Sequence, residues 1–393
     1  MTTTASPVGN WNYPTKVRFG AGRIKELPKA CQSAGMKNPL LVTDPGLAKL
    51  PMVAAAVEAV KAAGLGIAVF SDIKPNPIGK NVDDGVAAFK KGRHDGVIAF
   101  GGGSALDAGK AVALMAGQTR PMWDFEDVGD NWARVDPKGI APVVSVPTTS
   151  GTGSEVGRAS VITEEATHTK KIIFHPGMMP AIVIADPELT VGLPAHITAA
   201  TGMDAFAHCL EAFCAPGFHP LADGVALEGM RLVKDYLPRA TRDGKDMEAR
   251  ANMMAAAAMG ATAFQKGLGA IHSLSHPVGA VYDAHHGLTN AVFMPYVLVY
   301  NKKAIETRIA AVGRYLGLPK PGFDGFLNWV LELRRELKIP HSCRELGVEE
   351  SRLDELAKMA AADPTAGGNP VPLDLKAARR IFDMTLSGDL KAV

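Results

Sequence analysis

Residues 96–116 read GVIAFGGGSALDAGKAVALMA. The run from Val97 to Phe100 is continuously apolar, without polar alternation. That is the pattern of a strand buried on both faces. It ends in Gly101-Gly102-Gly103-Ser104, and the stretch SALDAGKAVALMA then continues as a helix. The same alternation appears on either side. Toward the N-terminus lie a strand over 11–20, a helix from Arg23 to Ala34, and the buried strand PLLVTD (Pro39–Asp44). A helix from about Pro51 to Ala63 follows, then the strand GIAVFSD, a break at Pro75–Pro77 and a helix from Gly79 to Lys91. Toward the C-terminus, APVVSVPTTSGTGSEV (Ala141–Val156) reads as a strand followed by a loop of small hydroxylated residues. RASVITEEATHTKKIIF reads as a hairpin, and AIVIADPELT (Ala181–Thr190) as a last strand. Strand–helix alternation of this kind predicts a parallel sheet covered on both faces by helices.

From Pro194 onward the periodicity is almost entirely helical. The segments run roughly over 195–214, 219–236, 244–266, 268–281, 287–300, 301–316, 322–338, 349–361 and 374–386. The expected architecture is an α/β nucleotide-binding domain over 1–193 and an all-α domain over 194–393.

Composition narrows the class. The 393 residues are 47% hydrophobic and 21% charged, with a net charge of +2. That balance is ordinary for a soluble globular protein and gives no reason to expect a nucleic-acid partner. The four cysteines, Cys31, Cys209, Cys214 and Cys343, lack CxxC spacing and read as reduced thiols of a cytoplasmic protein. No signal peptide is evident in MTTTASPVGNWNYP. The longest nearly apolar run, Ala251 to Phe264, is too short to span a bilayer.

The chemistry concentrates between Thr201 and Gly287. TGMDAFAHCLEAF places Asp204 and His208 four apart, on one face of a helix. GAIHSLSHPVGAVYDAHHG places His272 and His276 four apart on a second apolar segment, with His285 and His286 opening a third. Two polar pairs at helical spacing inside apolar segments need partners. One carboxylate and three imidazoles form a ligand set for Fe(II), Zn(II), Mn(II), Co(II) or Ni(II).

Two other loops are suited to a nucleotide. Gly101–Ser104 stands where backbone N–H groups and a helix N-terminus can cradle a pyrophosphate. It is not the GxGxxG fingerprint, and a plain strand–helix turn also favours glycine. Thr148-Thr149-Ser150-Gly151-Thr152-Gly153-Ser154 offers hydroxyls to phosphate or ribose. Asp44, ending a strand, can bond both ribose hydroxyls and repel a 2′-phosphate, which favours NAD over NADP. It can equally serve as a turn or capping aspartate.

Taken in order, VTD with Asp44, NP with Asn76, GGGSALDAGK, PTTSGTGSE, ADPELT, TGMDAFAHCLEAF and HSLSHPVGA…HHG resemble the iron-containing (group III) alcohol dehydrogenase family over nearly the whole chain. The resemblance implies a dehydroquinate synthase-like architecture, with the metal in a cleft between a nucleotide domain and a helical domain. It also implies NAD(P)-linked interconversion of alcohols and aldehydes, with Fe2+ or Zn2+ as the metal and a homodimer or larger homo-oligomer. Carried over by position, the metal ligands are Asp204, His208, His272 and His286, the last because it directly precedes Gly287. The cofactor residues are Asp44, Asn76, Gly102, Gly103, Ser104, Asp107, Thr148, Thr149, Thr152 and Lys170, with Lys171 adjacent to the last. His276 matches a histidine near the metal that is not a ligand, and is the candidate proton relay. The substrate expected is a small primary alcohol or diol, or its aldehyde. Rival readings are a glycerol dehydrogenase-like polyol oxidoreductase and a non-catalytic protein that binds nucleotide or metal.

Overall fold

The computed structural model describes residues 9–11, 15–167 and 169–391. Positions 12–14 of the expected first strand and position 168 of the expected hairpin lie outside them. The chain divides into two compact units. One comprises residues up to Thr149 with Gly153–Gly192, the other Ser150–Thr152 with the chain from Leu193 onward.

The first unit is built on nine strands among the described residues: β1 (Gly9–Trp11), β2 (Lys16–Phe19), β3 (Leu40–Val42), β4 (Ala68–Phe70), β5 (Val97–Gly101), β6 (Val143–Pro147), β7 (Ala159–Glu164), β8 (Thr169–Phe174) and β9 (Ile182–Ala185). Seven form one sheet in the order β1-β2-β9-β6-β5-β3-β4, and β7 and β8 pair as a separate antiparallel hairpin. Within the large sheet only β1–β2 is antiparallel. The helices are α1 (Leu27–Ser33), α2 (Pro51–Ala62), α3 (Gly79–Lys91) and α4 (Gly103–Met115). Period-two alternation divides the strand side chains between two cores. Leu40, Val42, Val97, Ala99 and Val143 pack with α4 and the hairpin residues Ile162 and Ile173. Leu41, Ile98, Phe100, Val144, Val146, Ile182 and Ile184 pack with α1 and α2. The expected parallel sheet covered on both faces is thus present, and two-sided burial explains why its strands read as unbroken apolar runs.

The second unit is helical: α5 (Ala195–Cys214), α6 (Pro220–Arg242), α7 (Met247–Ala263), α8 (Ala270–Tyr282), α9 (His286–Tyr315), α10 (Phe323–Glu336), α11 (Leu353–Ala362) and α12 (Leu375–Ser387). One expectation is corrected. The segments 287–300 and 301–316 are a single helix of 30 residues, α9. The helix runs straight through the polar Asn301-Lys302-Lys303, because Asn301 turns inward. Its buried amide exchanges two hydrogen bonds, 2.8 and 2.9 Å, with Asn369. A buried and satisfied amide gives the helix no reason to stop. Among the described residues no helix is long and apolar enough to cross a membrane.

Candidate metal centre and nucleotide cradle

Helix α5 is buried on nearly every side, at the middle of the helical core. Asp204, His208 and Glu211 fall at i, i+4 and i+7 and share one of its faces. Helix α8 supplies His272 and His276, and α9 begins on His286. The Oδ1 atom of Asp204 is 3.9 Å from Nε2 of His208, 3.9 Å from Nε2 of His272 and 3.6 Å from Nε2 of His286. Asp204, His208 and His272 form the tightest group, all buried, with ligand atoms within 4.8 Å of one another. His286 joins from the more open side, its side chain 25% exposed. Its neighbour His285 instead caps α9, its Nδ1 accepting from the Leu288 N–H at 3.4 Å.

The chemistry of this set fits a divalent transition metal. Burial pushes the His208 imidazole down to about 4, so at neutral pH it keeps a lone pair to offer. Its Nδ1 makes no well-formed hydrogen bond, although the Gly151 backbone lies close enough to favour the protonated ring. Burial also opposes the charged form of His272. Glu211 and Asp204 outweigh it, so the net shift is upward. Four acceptor-rich groups facing one buried volume repel one another, and a cation bound between them relieves that cost.

The surrounding partners orient the set. Nδ1 of His272 donates to Oε2 of Glu211 at 2.5 Å, and the Ile271 N–H donates to Oε1 at 2.6 Å. That bond fixes the tautomer whose lone pair lies on Nε2, on the side of Asp204. Asn290, on α9 one turn beyond His286, donates from Nδ2 to Oδ1 of Asp204 at 2.7 Å. His276 stands beside the set. Its ring stacks on that of His286, with centroids 5.5 Å apart, and its Nδ1 bonds Oδ2 of Asp363 at 2.8 Å. Oδ1 of Asp363 accepts from the Thr365 N–H at 2.9 Å and from its hydroxyl at 2.5 Å. Burial pushes the Asp363 carboxyl up, but His276 and Thr365 outweigh it and hold it below the usual range.

Three of these residues went unread in the sequence. Glu211 and Asn290 carry a helical signal, three residues beyond His208 and four beyond His286. Asp363 carries none, since 87 residues separate it from His276.

In the first unit, β3 pairs with β4 on one side and β5 on the other, both parallel. The chain leaves β3 for one edge and returns on the other side of it. That is the switch point at which open α/β sheets bind ligands. Asp44 follows β3, and Gly101–Gly103 joins β5 to α4. Asp44 serves as a turn aspartate, the second of its two expected roles. Oδ1 closes a turn by accepting from the Gly46 and Leu47 N–H groups, each at 2.9 Å. Oδ2 faces the glycine turn, 3.8 Å from where a Cβ on Gly101 would stand. Gly101 has φ +149°, which requires glycine. A Cβ on Gly102 would lie 3.2 Å from the Thr149 methyl, and the Thr148 N–H donates to the Gly101 carbonyl at 2.9 Å.

The other cofactor candidates divide. Lys170 Nζ donates to Oδ1 of Asn76 at 2.9 Å, so the hairpin and the 75–77 loop bring these two together. Lys171 instead pairs with Glu126 and Glu164, each at 3.1 Å, which distinguishes the adjacent lysines. Ser104 spends its hydroxyl on the Pro75 carbonyl. Asp107 bonds the Ser154 hydroxyl at 2.5 Å and the Val161 N–H at 3.0 Å, and lies 3.3 Å from Lys110 Nζ; it ties α4 to the hairpin. Thr152 groups with the helical unit.

Comparison with known proteins covers both units. Residues 14–187 match the description of an iron-containing alcohol dehydrogenase, and residues 198–386 that of the C-terminal part of the same family. A 4-hydroxybutyrate dehydrogenase of Cupriavidus necator is 39% identical over 384 residues, covering 95% of this chain and 99% of that protein. An NAD-dependent methanol dehydrogenase of Bacillus methanolicus is 37% identical, covering 92% of this chain and 95% of its own length. A crystal structure of a 1,3-propanediol oxidoreductase superposes with a TM-score of 0.90 at 32% identity, over 97% of this chain and 100% of that one. With family matches over both halves and relatives aligned nearly end to end, this chain belongs to the iron-containing alcohol dehydrogenase family and is an oxidoreductase acting between alcohols and aldehydes.

Proposed function

We propose that the chain is an NAD-preferring, divalent-metal-dependent dehydrogenase that interconverts a primary alcohol or diol with its aldehyde. The observation that carries this is the convergence of three imidazole nitrogens on one buried carboxylate oxygen at 3.6 to 3.9 Å. Asp204, His208, His272 and His286 would hold the metal, Fe2+ or Zn2+. When bound, the nicotinamide cofactor would supply hydride chemistry and the metal Lewis acidity toward the substrate oxygen. The relatives named above act on methanol, 4-hydroxybutyrate or 1,3-propanediol, each with a terminal hydroxyl, which supports a primary alcohol. The test is NADH oxidation with a panel of aldehydes, on chelator-stripped protein before and after anaerobic addition of Fe(II) or Zn(II). Activity should return with metal. NADH binding without turnover across the panel would favour the non-catalytic reading, and preference for glycerol-type substrates the polyol reading.

Preference for NAD rests on Asp44 beside the glycine turn. A carboxylate there favours two ribose hydroxyls and repels a 2′-phosphate. Asp44→Gly should move the NAD/NADP ratio of kcat/KM toward NADP by roughly ten- to a hundred-fold, the range of one charge-assisted contact. An unchanged ratio would show that Asp44 does not read the ribose.

In this reading His276 relays the proton of the substrate oxygen, and Asp363 fixes its ring by engaging Nδ1. Asp363→Asn should keep the metal but lower kcat by about ten- to a hundred-fold and change the pH profile of the rate. Wild-type kcat and pH profile in that variant would reduce Asp363 to a packing residue. A reducing, cytoplasmic setting accords with four buried, unpaired cysteines. A homo-oligomer accords with β1 standing at the edge of the large sheet.

A further inference from the structure

Asn290 is wholly buried on α9, among groups of opposite need. Its Nδ2 lies 2.7 Å from Oδ1 of Asp204, 3.2 Å from Nε2 of His272 and 3.2 Å from Nε2 of His286. Its Oδ1 is buried without a hydrogen-bond partner. An amide nitrogen carries two hydrogens and here faces three acceptors, so it cannot satisfy all of them. A leucine would fill a similar volume without burying an orphan carbonyl. The side chain that occupies this position therefore does something packing does not require.

From this geometry we infer that Asn290 is a positioning residue of the metal centre: its carboxamide holds the Asp204 carboxylate in register with the histidines. The inference rests on the metal reading of the site. An imidazole nitrogen has one lone pair, so His272 and His286 can accept from Asn290 or bind a cation, not both. A carboxylate oxygen has a second lone pair, so the 2.7 Å bond to Asp204 can persist with metal bound. Asn290 thus shields the ligands from one another and keeps its bond to Asp204 when a cation takes over the imidazoles. The pair His286 and Asn290, four apart, extends the spacing already seen in Asp204/His208 and His272/His276.

The test compares full-length wild type, Asn290→Leu and Asn290→Asp, each stripped of metal and then loaded with Co(II). Affinity is measured by chelator competition, and Tm is recorded with and without Co(II). Asn290→Leu should weaken Co(II) binding about ten- to a hundred-fold, as loss of an outer partner of a ligand does. It should also narrow the gap in Tm between loaded and stripped protein. Asn290→Asp should widen that gap, because two facing carboxylates repel in the stripped protein and are reconciled by the cation. Gaps and affinities equal to wild type in both variants, even with lower Tm throughout, would overturn the inference. If Asn290→Leu does not fold, the gap in Asn290→Asp decides alone. Wild-type protein that takes up no Co(II) would overturn the metal reading and this inference with it.

Discussion

Asp204→Ala is expected to abolish metal retention and to lower turnover by roughly 10³-fold, about 4 kcal/mol of transition-state stabilisation. Asp204 is the carboxylate of the set, its Oδ1 lying 3.6 to 3.9 Å from Nε2 of all three imidazoles. It is also the first acceptor of Asn290. Removing it leaves three imidazoles, which bind divalent ions but bring no negative charge to offset the cation's. The effect should be separable from that of Glu211→Gln. There His272 keeps a hydrogen-bonding partner of the same shape, and the loss should be about ten- to a hundred-fold. Metal content is measured on the purified variants, with kcat under saturating NADH and aldehyde. Near-normal turnover by metal-free Asp204→Ala protein would remove the carboxylate from the mechanism and with it the ligand set.

How far the sequence revealed this site follows from which contacts are local. Helix α5 was legible to its ends because its apolar periodicity runs unbroken between Pro194 and Ala215. On a helix, spacing is geometry, so Asp204 and His208 could be paired from their numbers alone. The choice of His286 over His285 rested on the adjoining glycine, whereas the structure distinguishes them physically, one capping α9 and the other facing Asp204. Glu211 was legible in principle as the next position on the α5 face, but an acidic residue near a helix end is ordinarily solvated. Only its burial against His272 makes it informative. Asp363 was beyond reach, since its contact with His276 is set by how α8 packs against the segment after α11. The division of α9 failed for a related reason. Asn301 meets its partner 68 residues away, and no local pattern records that.

Gly287→Ala should press the first turn of α9 away from α5. A Cβ on Gly287 would overlap the Ala200 carbonyl oxygen and lie 3.0 Å from both the Ala200 carbonyl carbon and the Asp204 Cβ. All three atoms belong to buried α5, whose backbone has nowhere to retreat. The first turn of α9 must therefore move outward, and His286, the preceding residue, moves with it from its 3.6 Å approach to Asp204. Overpacking of this kind costs about 1–3 kcal/mol or more, and here it falls on stability and metal affinity together. Tm should drop by several degrees and Co(II) affinity by at least about tenfold. Gly224→Ala is the control. That glycine sits within α6 with nothing within 4 Å of a Cβ, so alanine should leave metal binding unchanged and stabilise by about 0.5–1 kcal/mol. If Gly287→Ala keeps wild-type Tm and affinity, α5 and α9 are not pressed together at this point. The histidine–glycine pair would then need a reason other than the close approach of two helices that sets Asp204 and His286 facing one another.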